Sequence, residues 1–238
     1  MRSNSAHVVL SNRRGPATLA VLVAELGPRA RAATPVEAAA ASELVVVTIP
    51  LPAYRTVPVE PLRGKTVIDT NNYYPAFQGG AIDELEAGTT TISELLQTHL
   101  PASHVVRAFS NIGSTHLAKL ARPSGAPDRS ALALAGDDAH ATQQVTAFLD
   151  TIGYDAVDAG ILAEGWRFEQ DTPAYSDPYF SEGHSTTAAL QGGDPGPGQQ
   201  VTADTLRHED LADAGIWPQK CSGLQELFRG SEAVRVDH

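Results

Sequence analysis

Val8-Val9-Leu10-Ser11-Asn12-Arg13-Arg14-Gly15-Pro16 passes from an apolar run into a small-polar, doubly basic turn, and Pro16 then opens a helical pattern. Proline suits the first helical turn because its missing N–H has no intrahelical partner there. Strand, turn and helix in that order begin a βαβ unit. Working outward, apolar runs at 7–10, 31–33, 43–49, 66–69, 104–109, 131–135 and 155–157 read as strands. The Ala/Leu-rich stretches 16–26, 35–41, 91–100 and 137–152 read as helices. Their ends carry the expected punctuation: Gly27-Pro28 after the first, Thr34-Pro35 with Glu37 opening the second, Pro101 closing the third, and Asp137-Asp138 and Gly153 bounding the fourth. The fold class predicted is α/β, a Rossmann-like and mostly parallel sheet. Leu44-Val45-Val46-Val47-Thr48-Ile49 is apolar with little alternation, which predicts an inner strand near the centre of that sheet.

Composition sets the limits. Of 238 residues, 42% are apolar, enough for a sizeable core. No run approaches a membrane span and the N-terminus lacks the apolar centre of a signal peptide, so a cytoplasmic protein is expected. The lone cysteine, Cys221, excludes an intrachain disulfide and reads as an inert thiol. The net charge is −11. It lies almost wholly beyond residue 100, which argues against nucleic-acid or anionic-membrane partners and makes Arg13-Arg14 a local anion site on an acidic chain. Residues 1–178 are expected to form the folded domain. Residues 191–200 (QGGDPGPGQQ) read as a linker. One short helix is expected at 201–214, no regular period follows, and the whole of 179–238 is expected to be a Gly/Pro-rich linker with a loosely packed acidic tail.

The chemistry is expected at strand ends. Ser11, Asn12, Arg13, Arg14 and Thr18 combine hydroxyls, guanidinium groups and helix-start amides around the end of the first run, as a phosphate requires. In dinucleotide-binding folds Arg at this place accommodates the 2′-phosphate of NADP. The turn Thr48-Ile49-Pro50, stiffened further by Pro52, could wall a nucleotide. Asn71-Asn72 and Asn111 place side-chain amides on two consecutive strand ends, where an amide-bearing ring could be held. The aromatic segment 158–175 reads as folding back onto the sheet. His99, His104, His116 and His140 show no metal-ligand spacing and read as packing or surface residues. No metal and no acid–base or nucleophile constellation is assigned.

The segments 8–16, 45–54 (VVVTIPLPAY), 67–75 (VIDTNNYYP), 105–112 (VVRAFSNI), 133–141 (ALAGDDAHA) and 162–175 (LAEGWRFEQDTPAY) together resemble the NADPH-dependent F420 reductase family, related to F420H2:NADP oxidoreductases and to the nucleotide domain of pyrroline-5-carboxylate reductase. The resemblance implies a Rossmann domain holding NADP, with Ser11 and Arg14 at the 2′-phosphate, the Ile49-Pro50 turn along the dinucleotide, and Asn71, Asn72 and Asn111 near the nicotinamide. It implies hydride transfer between NADPH and a deazaflavin such as coenzyme F420, or a similar acceptor, without a catalytic side chain. The family's enzymes often pair, so a homodimer is one expectation. The family opens with a strand and a Gly-rich turn, where this chain has Met1-Arg2-Ser3-Asn4-Ser5-Ala6, so the first βα unit is expected to be absent. From that departure comes the alternative, an inactive truncated pseudoenzyme acting as a protein-interaction or nucleotide-binding module. Reduction of an imine or a 2-hydroxy acid fits less well, because neither Lys65 nor Lys119 stands in a K-x-x-N-N setting.

Overall fold

The computed structural model describes residues 7–212. The readings of Cys221 and of residues 213–238 fall outside them. The strands are β1 (Val8–Leu10), β2 (Ala30–Ala32), β3 (Leu44–Val47), β4 (Thr66–Asp69), β5 (His104–Ala108), β6 (Ala131–Gly136) and β7 (Asp155–Asp158). The helices are α1 (Ala20–Leu26), α2 (Pro35–Ala41), α3 (Pro75–Gln78), α4 (Asp83–Glu86), α5 (Ile92–His99), α6 (Ser114–Lys119), α7 (Ala139–Ile152), α8 (Thr186–Leu190) and α9 (Ala203–Thr205). The α/β alternation is as the sequence predicts. Pro16–Leu19 forms a 3₁₀ turn before α1 rather than its first turn.

Five strands form the main sheet in the order β3-β4-β5-β6-β7, parallel except for the antiparallel β5–β6 pair. β1 and β2 pair in parallel as a separate ribbon. This corrects the central placement expected for 44–49: β3 is an edge strand, and Val46 is 46% exposed. Among the described residues no strand joins β1 to β3, so an apolar run that reads as doubly covered keeps one open edge. Val21, Leu22 and Leu26 of α1 are likewise exposed, an apolar stripe that no described residue covers.

Burial explains the rest of the sheet. All of β4 is buried, and Ala131, Ala133 and Ala135 alternate along β6 with the larger Leu132 and Leu134. Val145 and Leu149 of α7 and Phe168 of the 3₁₀ segment Leu162–Phe168 lie in the same core. The aromatic segment thus folds back onto the sheet as expected. Helix starts are secured by reciprocal capping boxes, Thr34 with Glu37 and Thr91 with Glu94, and by Asp138, whose carboxylate accepts from Ala141 N at 2.8 Å. Gly153 ends α7 at φ 102, and a Cβ there would stand 2.9 Å from Ala121 Cβ and 3.0 Å from the backbone N and O of Arg122. Gly153→Ala is therefore expected to cost about 2–4 kcal/mol, a left-handed penalty plus overpacking against backbone, measurable as a lowered urea midpoint.

The expected loose tail is the second correction. Residues 179–212 dock on the domain, with Tyr179, Phe180, Val201, Leu206 and Leu211 buried. Ala131 N at the start of β6 donates to Val201 O at 2.8 Å, and the Val201 N–H donates to Ser130 Oγ at 3.1 Å. The linker-like 191–200 stretch packs through its backbone: His116 Nε2 meets Pro195 O at 3.0 Å and Lys119 Nζ donates to Gly196 O at 3.2 Å. Composition hides this, because glycine-lined contacts need no apolar side chain. Among the described residues no helix is long and apolar enough to cross a membrane.

Candidate functional site

The turn after β1 is built from its own side chains. Arg14 N donates to Asn12 Oδ1 at 2.9 Å, Asn12 Nδ2 donates to Thr18 Oγ1 at 3.0 Å, and Thr18 Oγ1 donates to Gly15 O at 2.8 Å, around a Gly15 at φ 94. Asn12 and Thr18 are thus engaged in holding the turn. Ser11, Arg13 and Arg14 are exposed, and neither arginine has an ion-pair partner among the described residues.

On the main sheet the ends of β3, β4 and β5 are tied together. Ile49 N donates to Asn71 Oδ1 at 3.0 Å, and Asn72 Nδ2 donates to Ser110 O at 3.0 Å. Thr48 and Pro50 are exposed beside them. The structure therefore brings together the Thr48-Ile49-Pro50 turn, Asn71 and Asn72. Asn111 is turned elsewhere: fully buried, it donates from Nδ2 to Ala174 O at 3.2 Å and towards the Tyr179 hydroxyl at 3.3 Å, and so fastens the 174–179 segment.

Behind the asparagine turn lies Arg107, which sequence reasoning missed. It is fully buried, donating to Asn71 O at 3.1 Å and reaching Asn72 Oδ1 at 3.4 Å. The carboxylates of Asp69 and Glu169 stand 3.9 and 3.8 Å away, Ser93 Oγ donates to Asp69 at 2.6 Å, and the Phe168 ring stacks at 5.6 Å. Burial pushes both carboxyls above their ordinary range, with the guanidinium pulling the other way. The signal was present in the register. Asp69 and Arg107 are paired neighbours on β4 and β5, each a charged residue directly after an apolar pair, Val67-Ile68 and Val105-Val106.

Beside this cluster opens a cavity of about 320 Å³, walled by Asn72, Tyr74, Ser110, residues 112–116, Tyr175, Phe180, Thr186 and, from the 191–200 strap, Gly193 and Pro195. The Tyr74 and Tyr175 hydroxyls hydrogen-bond to each other, and burial raises both phenols above their ordinary range. Phe109, immediately before the Ser110 wall, is held at φ 64, a conformation few non-glycine residues adopt. Ser110 and His116 entered the sequence reading only as neighbours of Asn111 or as packing. Among the described residues no cluster of three His, Cys, Asp or Glu could hold a metal ion.

Comparison with known proteins bears on the family and the fold. Residues 1–73 match the sequence model of a family described as NADP oxidoreductase, coenzyme F420-dependent. A 53-residue stretch is 40% identical to "Putative protein YjhV" of Escherichia coli (strain K12), covering 22% of this chain and 39% of that protein, so the chain matches about two fifths of that relative's length. Among solved structures, hypothetical protein SMa0349 of Sinorhizobium meliloti superposes with a TM-score of 0.57 at 24% identity, covering 69% of this chain and 78% of the other. A "putative f420 dependent nadp-reductase" of Arthrobacter sp. FB24 superposes with a TM-score of 0.54 at 24% identity, covering 65% and 74%. The family resemblance read from the sequence is borne out over residues 1–73, and the fold is Rossmann-like, a mixed α/β fold with a mostly parallel sheet.

Proposed function

We propose that this chain is an NADP(H)-dependent oxidoreductase that passes a hydride between NADPH and a deazaflavin such as coenzyme F420, or a similar acceptor, at the ends of β3, β4 and β5. The observation that carries the reading is the pair Arg13-Arg14, exposed on a turn that Asn12 and Thr18 hold rigid, in a chain of net charge −11. With the backbone already set, only the arginine side chains have to order to meet a phosphate. These residues fit the 2′-phosphate end of the cofactor, and the Thr48-Ile49-Pro50 turn with Asn71 and Asn72 fits the other. No described segment supplies a glycine-rich cradle for the pyrophosphate.

When bound, NADPH supplies the hydride, so the protein's part is orientation and exclusion of water. Arg107 fixes Asn71 and Asn72, and the cavity beside them receives the acceptor. Titration of NADPH and NADH into the protein is the test. NADPH is expected to bind more tightly, and Arg14→Ala to cut that preference about ten- to a hundredfold by removing a charge-assisted phosphate contact. Equal affinity for the two cofactors would overturn the reading. The split between the β1–β2 ribbon and the main sheet favours the second reading, a pseudoenzyme working through protein contacts. Absence of NADPH binding at micromolar concentration would support it.

A further inference from the structure

Residues 81–90, which carry α4, lie beside the ends of β3 and β4 and are fastened there lightly. Ile82 and Leu85, both half-buried, pack on Leu51, Tyr73 and Ile92, a small apolar cluster separate from the main core of the sheet. Leu51 directly follows the Thr48-Ile49-Pro50 turn and Tyr73 directly follows Asn71-Asn72, so the segment sits on residues that adjoin both turns of the candidate site. Asp83, Glu84, Glu86 and Ala87 are exposed. Among the described residues, the two hydrogen bonds that tie 81–90 to the domain end on one atom. The Tyr73 hydroxyl accepts from Ile82 N at 2.9 Å and donates to Glu86 Oε1 at 2.7 Å.

The bonds within the segment are local. Leu85 N and Glu86 N both donate to Ile82 O at 3.0 Å, Ala87 N donates to Asp83 O at 2.9 Å, and Thr89 N donates to Glu84 O at 3.1 Å. The segment can therefore move as one piece and keep its own hydrogen bonds. Its first end is built to bend: Gly79 and Gly80 stand at φ 99 and 124, with no atom within 4 Å of an added Cβ at either. A few such residues absorb the backbone rotation of a hinge. Both sides of the hinge have fixed mounts. Before it, Gln78 closes α3 by accepting from Tyr74 N and donating to Asn72 O, both at 3.1 Å, so α3 stays tied to the asparagine turn. Beyond the segment, Thr91 enters α5 through its capping box with Glu94. A unit with two half-buried anchors and one polar latch opens at lower cost than β4, all of whose residues are buried.

We infer that residues 81–90 are a hinged cover at the ends of β3 and β4, latched by the Tyr73 hydroxyl, and that the cover closes over a nucleotide held at the Thr48-Ile49-Pro50 and asparagine turns. The cover's role rests on the proposed function for that nucleotide, and its closure excludes water from the cleft. Hydrogen–deuterium exchange of the full-length protein, read peptide by peptide in a mass spectrometer, tests the hinge and the cover separately. Tyr73→Phe keeps the buried ring and loses both latch bonds, so exchange in 81–90 is expected to rise at least about tenfold while 66–69 of β4 keeps its rate. Equal acceleration of the two stretches means that the segment opens only with the whole domain and overturns the hinge; no acceleration overturns it too. The wild-type protein, independently of that variant, tests the cover. NADPH at about ten times its dissociation constant is expected to slow exchange in 81–90 about tenfold, because it binds the closed form. NADPH that binds and leaves 81–90 unchanged overturns the cover and spares the hydride-transfer reading. Absence of NADPH binding overturns that reading and the cover's role with it.

Discussion

Arg107→Met is expected to destabilise the protein by about 3–5 kcal/mol, because it leaves the carboxyls of Asp69 and Glu169 in the core without the cation that, among the described residues, faces them both. Methionine fills much of the arginine stem's volume, so the loss reports charge and hydrogen bonding more than packing. The pH dependence identifies the cause. Both carboxyls titrate above their ordinary values in the folded protein because burial disfavours the charged form. A carboxyl whose folded value is raised favours the folded state most at low pH, and that contribution is lost as pH rises through the folded value. Removing the guanidinium removes the one charge that holds these values down. The deficit of Arg107→Met should therefore be largest near pH 7.5 and shrink by about 1–2 kcal/mol near pH 5, as urea unfolding at both values would read. A deficit independent of pH would show that Arg107 acts through packing and its hydrogen bonds to Asn71 O and Asn72 Oδ1 rather than through its charge. The same substitution frees Asn71 O and Asn72 Oδ1, so any folded fraction should also bind ligands at the strand ends less well.

What the sequence made legible follows from where each signal lives. Strands β4, β5 and β6 are short apolar runs with clear stops, and the caps at Thr34, Thr91 and Asp138 are local chemistry, so all of these could be read directly. The place of β3 could not. Its apolar pattern says that residues 44–47 can be covered, while which strand lies alongside is a property of the whole sheet. The basic turn and the asparagine turns were also readable, being single-residue chemistry at predicted strand ends. Arg107, Ser110, His116 and Thr186 were not. Their surroundings arise from juxtaposition across the fold, and His116 meets Pro195 O in a stretch that looks like a linker.

A chain shortened after Pro178 is expected to be unable to hold this fold. Five side chains that the composition would assign to a dispensable tail are buried, Tyr179, Val201, Leu206 and Leu211 in the core of the sheet and Phe180 against His116. At about 1.5–3 kcal/mol for each, their loss removes on the order of 10 kcal/mol, comparable with the whole net stability of a domain. The polar ties go with them: the Tyr179 hydroxyl donates to Ala131 O at 2.7 Å, and Ala131 N is left without Val201 O. Circular dichroism of the shortened chain should show loss of the cooperative thermal transition. Two glycines of the strap give a finer test. Gly198 has φ 81, and an added Cβ would stand 2.8 Å from His116 Cδ2 and 3.3 Å from Tyr179 O; Gly192 has φ 86 and open space around it. Both alanine variants carry the left-handed backbone penalty of about 1–2 kcal/mol. Only Gly198→Ala adds the collision, so it should cost about 2–4 kcal/mol in all and displace the imidazole from the cavity wall. If the two variants melt together, the strap does not press on His116. If Gly198→Ala alone melts early and alone weakens ligand binding in the cavity, the stretch that reads as a linker is the wall that shapes the site.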